Sequence, residues 1–309
     1  FEYLLDYHNK WYNENPEIAK KDGCKFNEDL GIYVLSIQQK QHILLNNIYG
    51  VDIDLQATEV TQLSLFLKML EDETTSTAND MMVLFHEKIL PNLTNNIKCG
   101  NSLIGTDILN SKLDLDLDQE RKLNPFDFKL AFPKVFGNTN FVRVSNSDKV
   151  VENKGFDAIV GNPPYIKELG SKEIFQPVLQ SKLGKLYYQG KMDFWYYFVH
   201  RGIDVLKVNG YLAFITNSYW MKSDGASKMI DRIQKETIVD EIVDFDNYKV
   251  FKEVSGKHNI SIFIKGNKPK HKGKILTINR EKPTEINTFK LQEIENKDLF
   301  ESHKLNFKT

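Results

Sequence analysis

Phe156-Asp157-Ala158-Ile159-Val160-Gly161-Asn162-Pro163-Pro164-Tyr165 decides the fold. Its first six residues form an apolar run, broken only by Asp157, with the length and composition of a buried parallel strand. The run stops at an Asn and two prolines. Proline has no N–H to give to a ladder and is excluded from central strands, so the chain leaves the sheet here. Open α/β sheets bind their ligands at the carboxyl ends of their strands. A polar residue stiffened by two prolines is a poor structural choice at such a place, although a plain proline-stiffened turn is the simpler reading.

The flanking sequence repeats the pattern of strand and helix. Residues 1–11 read as a helix with Tyr3, Leu4, Tyr7, His8 and Trp11 near one face, and 34–47 as a second helix. Residues 48–54 read as a short strand ending in acid, followed by a helix with Val60, Leu63, Phe66, Leu67 and Leu70 on one side. Residues 71–80 are polar and read as a loop; 81–90 read as a short helix stopped by Pro91, and 97–103 as a strand. Residues 111–155 read as an irregular, charged insert with the aromatic cluster Phe126, Phe128, Phe132 and Phe136. After Tyr165 a loop is expected to about Lys191, then an aromatic helix over 192–207. Asn209-Gly210 turns into a strand over 211–216, with a helix over 225–235 and strands over 238–245 and 259–265. The alternation predicts an α/β fold with a doubly wound, mostly parallel sheet. Beyond Gly266 the sequence is Lys-rich and the pattern fades. Residues 1–265 are expected to form one domain and 266–309 a linker or the start of another.

The 309 residues carry 41 Lys+Arg and 42 Asp+Glu, a net charge of -1. A chain that grips nucleic acid through its overall charge is expected to be more basic, so any such surface would have to be local. Cys24 and Cys99 are the only cysteines and have no metal-like spacing, which points to a reducing cytoplasm. No apolar run approaches the length of a membrane helix, and no metal or membrane partner is expected.

Four stretches in order carry a resemblance: 44–54, 97–106, the aromatic segments 125–128 and 132–136, and 155–166, which ends in Asn162-Pro163-Pro164-Tyr165-Ile166. Ile215-Thr216-Asn217-Ser218 adds a later strand. Together they resemble the methyltransferase region of the large type IIG restriction-modification enzymes and related adenine-N6 DNA methyltransferases. The resemblance runs from about Phe1 to Lys265. Any one piece other than Asn162 to Tyr165 is weak, while the ordered set is specific.

The resemblance implies a Rossmann-like fold dependent on S-adenosylmethionine, acting on double-stranded DNA. The exocyclic amine of adenine is a weak nucleophile because its lone pair is delocalised into the ring. The side-chain oxygen of Asn162 and the carbonyl of Pro163 would hold its two N–H donors, localising the lone pair by orientation rather than by a titrating base. Pro163 and Pro164 stiffen the loop. Tyr165 would stack on a base that must leave the duplex to be reached. Phe251 would close the opposite side or anchor its loop, and Lys167 would touch a phosphate or lie solvated. Asp52, with Ile53 beside it, would hold the cofactor ribose while Asp54 caps the next helix. Asn101 and Ser102 would face its adenine or simply make a turn. Asp193 and Phe194 are possible pocket walls, with helix capping and core as their plainer roles.

That family carries a glycine-rich loop, Pro-Ala-Cys-Gly-Ser-Gly in type, which has no counterpart in this sequence and belongs just upstream of Phe1. The expectation is therefore a fragment lacking its first strand, binding cofactor weakly or not at all and inactive alone. A nuclease domain and a target-recognition domain would lie in the rest of the parent chain. Two rivals stand beside this reading. One is a glutamine methyltransferase, since a side-chain amide poses the same chemical problem. The other is a non-catalytic DNA-binding module with a decayed methyltransferase fold. Cytosine N4 is a further acceptor that fits the same geometry.

Overall fold

The computed structural model describes residues 1–71, 91–110, 117–137, 141–143, 150–152, 154–254, 256–266, 270–278 and 289–307. The helix expected over 81–90 and most of the loop over 71–80 lie outside them. The chain divides into two compact units, Phe1–Asn101 and Ser102–Thr309.

The first unit contains α1 (Glu2–Glu14), α2 (Ile37–Asn47), β1 (Gly50–Asp52), α3 (Leu55–Leu70) and β2 (Ile97–Cys99). The helix expected from 34 starts later because Ser36 is its N-cap: its side chain accepts from the Gln39 backbone while Gln39 reaches back to the Ser36 N–H. The preceding Ile32–Val34 instead pairs with Lys25–Asn27 as a short hairpin. β1 and β2 run parallel, Gly50 opposite Ile97. Asp54 caps α3, accepting from the Gln56 N–H at 2.8 Å. Asp54→Ala is expected to cost about 1 kcal/mol of stability, read by chemical denaturation.

The buried faces of α1 and α3 differ from those expected. α1 buries Leu5 against Leu35 and Ile43, with Phe1, Leu4 and Tyr12 alongside, while Tyr3 and Tyr7 are exposed. α3 buries Thr58 and Met69, with the expected Phe66 and Leu70 packed alongside, while its Val60, Leu63 and Leu67 are exposed. Both helices carry apolar residues on more than one side, so helical spacing alone does not choose the side that meets a core.

The second unit is built on a six-stranded sheet. In chain order its elements are β3 (Phe156–Gly161), α4 (Lys172–Gln180), α5 (Lys182–Tyr187), α6 (Tyr196–Val205), β4 (Leu206–Asn217), α7 (Ser227–Glu236), β5 (Thr237–Asp244), β6 (His258–Lys265), β7 (Lys272–Ile278) and β8 (Phe289–Glu295). The strand order is β8-β7-β5-β6-β4-β3. β3 runs parallel to β4 and β5 parallel to β7, while β6 is antiparallel to both β4 and β5, and β8 to β7. The α/β class is the expected one and the sheet is mixed. Parallel neighbours need a crossover, usually helical. Among the described residues of 245–257, which join β5 to β6, there is no helix, and that pair forms antiparallel.

Residues 272–278 and 289–295 extend this same sheet, so the boundary expected at 265 falls between two of its strands. In β7 exposed Lys272 and Lys274 alternate with buried Gly273 and Ile275, a half-buried strand whose lysines hide its pattern. The loop expected from Tyr165 to Lys191 contains α4 and α5. Pro177 and Gly184 read as breakers, yet Phe175, Val178 and Leu183 are buried. Gly184 is there because a Cβ would stand 2.0 Å from the Val178 carbonyl oxygen.

The core gathers Trp195, Tyr197, Ile203, Leu212, Trp220 and Ile242 between sheet and helices. The insert is anchored by its aromatic cluster: Phe132 and Phe136 meet the Phe156 ring edge-on, at 5.7 and 5.6 Å. Among the described residues β3 is paired on one edge only, and its Val160 is 83% exposed.

Candidate active site

The carboxyl end of β3 sets the site. Gly161 lies opposite Phe214 of β4, and a Cβ on it would come within 2.8 Å of the Phe214 ring, so the strand reaches Asn162 only with glycine here. Pro163 is buried and Asn162 exposed, so the proline anchors the loop and the amide faces outward.

Tyr165 ties this loop back to the sheet. Its hydroxyl lies 2.9 Å from Asn162 Oδ1 and 2.9 Å from the carbonyl oxygen of Ile215 in β4. Burial pushes the Tyr165 phenol up to about 12. The phenol therefore stays protonated at neutral pH and keeps its donor. Because the unfolded chain ionises this group near 10.0, the unfolded state releases its proton first. Stability is expected to fall as pH rises from about 10 towards about 12. Tyrosinate absorbance of the native protein, minus that of Tyr165→Phe, is expected to titrate near the upper end of this window.

The loop beyond Tyr165 is clamped to the segment before α6. The Phe194 N–H donates to the Ile166 carbonyl at 2.7 Å and the Glu168 N–H to the Met192 carbonyl at 3.0 Å, which pairs the backbones of Lys167 and Asp193 as one antiparallel β-bridge. These bonds use up residues 192–194, which is why the helix expected from 192 starts at Tyr196. Asp193 is 6% exposed and accepts from Asn217 Nδ2 at 3.1 Å, rather than capping a helix. Burial pushes its carboxyl up, opposed by the Asn217 hydrogen bond and the Lys167 charge. Phe194 packs edge-on against Phe175 at 5.1 Å, at the border of the core. The Lys167 ammonium sits 5.5 Å above the ring of Tyr219, itself exposed.

Phe251 reaches the site through His258. The His258 ring lies 5.1 Å from Phe251, edge-on, and 5.7 Å from Tyr165 at 42°. His258 and Tyr219 were not legible in the sequence. His258 belongs here because it stands opposite Asn217 across β4 and β6, a register that no local signal gives.

The sequence candidates for cofactor binding lie at the ends of β1 and β2. Asp52 ends β1 with its carboxylate exposed, one oxygen accepting from the Asp54 N–H at 2.8 Å. Ile53 is 57% exposed, an apolar side chain set beside that carboxylate. A carboxylate retains further acceptor sites, so the pair suits a ribose diol and an apolar ring face. Asn101 closes the first unit and Ser102 opens the second; both are half-buried. Among the described residues no group of three or more His, Cys, Asp or Glu is arranged to hold a metal. No helix there is long and apolar enough to cross a membrane.

Residues 46–251 match the family described as Eco57I restriction-modification methylase. The chain belongs to this family. Within it, the type II restriction enzyme and methyltransferase RM.Eco57I of Escherichia coli is 32% identical over 225 residues, covering 71% of this chain and 19% of that protein. The type II methyltransferase M.HincII of Haemophilus influenzae is 31% identical over 112 residues, covering 36% of this chain and 22% of that one. The chain thus spans about a fifth of the length of these curated relatives. Among solved structures, a nuclease-deletion mutant of the Type ISP restriction-modification enzyme LlaGI, in complex with a DNA substrate mimic, aligns with a TM-score of 0.47 and 14% identity. That alignment covers 79% of this chain and 19% of the other. The Eco57I-family match spans the candidate loop, β4 and Phe251, and ends before His258.

Proposed function

We propose that this region transfers a methyl group from S-adenosylmethionine to the N6 amine of an adenine flipped out of duplex DNA. The observation that carries the reading is the exposed Asn162 amide at the carboxyl end of β3, held by the Tyr165 hydroxyl. The single Tyr165 hydroxyl proton is shared between Asn162 Oδ1 and the Ile215 carbonyl, and Oδ1, with two lone pairs, has room for an amine N–H as well. The Pro163 carbonyl takes the second N–H. Held by two acceptors, the amine keeps its lone pair out of the ring and aimed away from the loop. The Tyr165 ring supplies the stacking face, and Phe251, which meets the same His258 ring, closes the clamp. Lys167 contacts a phosphate beside the flipped nucleotide, which supplies a local grip on a chain whose net charge is -1.

S-adenosylmethionine, when bound, supplies an electrophilic methyl on a sulfonium. Asp52 would accept from the ribose hydroxyls, Ile53 pack against the adenine, and Asn101 and Ser102 meet its edge. Target recognition and any cleavage belong to the remainder of a longer protein.

The test is single-molecule sequencing of DNA from a host expressing the full-length protein, against the same host expressing Asn162→Ala. N6-methyladenine at one recurrent sequence, missing in the Asn162→Ala host, is the expected result. Identical adenine methylation in the two hosts would overturn the role of this loop. Methylation found at cytosine N4 instead would move the acceptor.

A further inference from the structure

His258 is the first residue of β6 and stands opposite Asn217 at the end of β4. It is 1% exposed, and among the described residues neither ring nitrogen has a hydrogen-bond partner of ordinary geometry. Asn217 Oδ1, its cross-strand neighbour, is likewise buried without one. Burial holds the imidazole below its ordinary value, against a weaker opposite pull from the Gly256 backbone.

Its neighbours suggest what it does. The Tyr165 ring lies 5.7 Å from it, tilted by 42°, and the Phe251 ring 5.1 Å from it, nearly perpendicular. Tyr165 is already fixed to β4 by its bond to the Ile215 carbonyl. His258 is fixed to the same end of β4 by strand pairing. Phe251 lies between β5 and β6, outside both strands, and among the described residues no hydrogen bond of this kind holds its side chain. The imidazole is thus the strand-borne body against which both rings rest.

We infer that His258 is a positioning residue for the base clamp: its compact ring sets the spacing and tilt of Phe251 relative to Tyr165. The inference rests on the methyltransferase reading. The ring acts through its two aromatic neighbours and does not touch the amine.

The experiment uses the full-length enzyme and a duplex carrying its methylated sequence, with His258→Ala and His258→Phe beside the unsubstituted protein. Single-turnover methylation at saturating DNA reads the chemical step. The fluorescence of 2-aminopurine placed at the target adenine reads stacking of the flipped base. For His258→Ala, transfer is expected to slow about 100-fold, the scale of a 1 Å misplacement. The 2-aminopurine signal is expected to rise as stacking loosens, with DNA affinity little changed. His258→Phe, which restores a ring, is expected to recover most of the rate and the quenched signal. A merely structural role would lower the active fraction without changing the fluorescence per bound duplex. Unchanged rate and fluorescence in His258→Ala would overturn the inference. So would a folded His258→Phe as defective as His258→Ala, because the nitrogens and not the ring would then matter. Absence of transfer by the unsubstituted enzyme would overturn the methyltransferase reading itself, and the positioning role with it.

Discussion

Asn162→Ala is expected to lower the rate of methyl transfer by about 100- to 1000-fold, the usual consequence of deleting one preorganised polar group aimed at a reacting centre. Folding is expected to survive. The Asn162 side chain is exposed, and Tyr165 keeps its 2.9 Å bond to the Ile215 carbonyl when the amide is gone. The loop also keeps its clamp to residues 192–194. The defect should therefore appear in the single-turnover rate, with the melting temperature and DNA affinity unchanged. A rate within a few-fold of the unsubstituted enzyme would mean that the amine is oriented by some other group.

Trp220→Ala is expected to have the largest effect on stability. Trp220 is 1% exposed and meets the rings of Trp195 and Phe263 edge-on at 6.3 and 6.2 Å. Its Nε1–H lies 3.4 Å from Asn259 Oδ1, which also accepts from Thr216 at 3.0 Å. Truncation removes an aromatic side chain from packed surroundings and leaves a cavity, costing about 3–5 kcal/mol. Trp220 lies in the 3₁₀ turn Ser218–Lys222 directly after β4, beside Tyr219. Loosening this turn is also expected to disturb the contact between Lys167 and Tyr219. Urea denaturation followed by tryptophan fluorescence measures the cost, and a loss below about 1 kcal/mol would show that the site collapses around the gap.

What was legible in the sequence follows from how local each signal is. The strand ending at Asn162 was plain because six residues of composition and two prolines suffice to state it, but its expected burial was not met: none of its residues is buried and Val160 is 83% exposed. β5 and α7 fell within a few residues of their expected bounds for the same reason. The faces of α1 and α3 were not legible, because both carry apolar side chains around much of their circumference. The helices α4 and α5 were hidden by Pro177 and Gly184, punctuation that tertiary burial of Phe175, Val178 and Leu183 overrides. β7 was hidden by surface lysines.

The same rule divides the site. Asn162, Pro163 and Tyr165 are adjacent in sequence and could be read as a unit. Asp54 as a cap needed only its position before α3. The link from Tyr165 through His258 to Phe251 depends on the pairing of β6 with β4, a long-range register that short stretches of sequence do not contain. Tyr219 joins Lys167 for the same reason, through the turn that follows β4.

The central claim is that the Asn162 loop directs a methyl group to an exocyclic adenine amine. The most direct measurement is transfer of radiolabelled methyl from S-adenosylmethionine by the full-length protein, offered duplex DNA, RNA and a release factor in parallel. The acceptors would then be digested and the labelled product identified. The account requires the label in N6-methyldeoxyadenosine, lost in the Asn162→Ala protein. Label in a glutamine side chain, or no transfer to any acceptor while S-adenosylmethionine still binds, would contradict it.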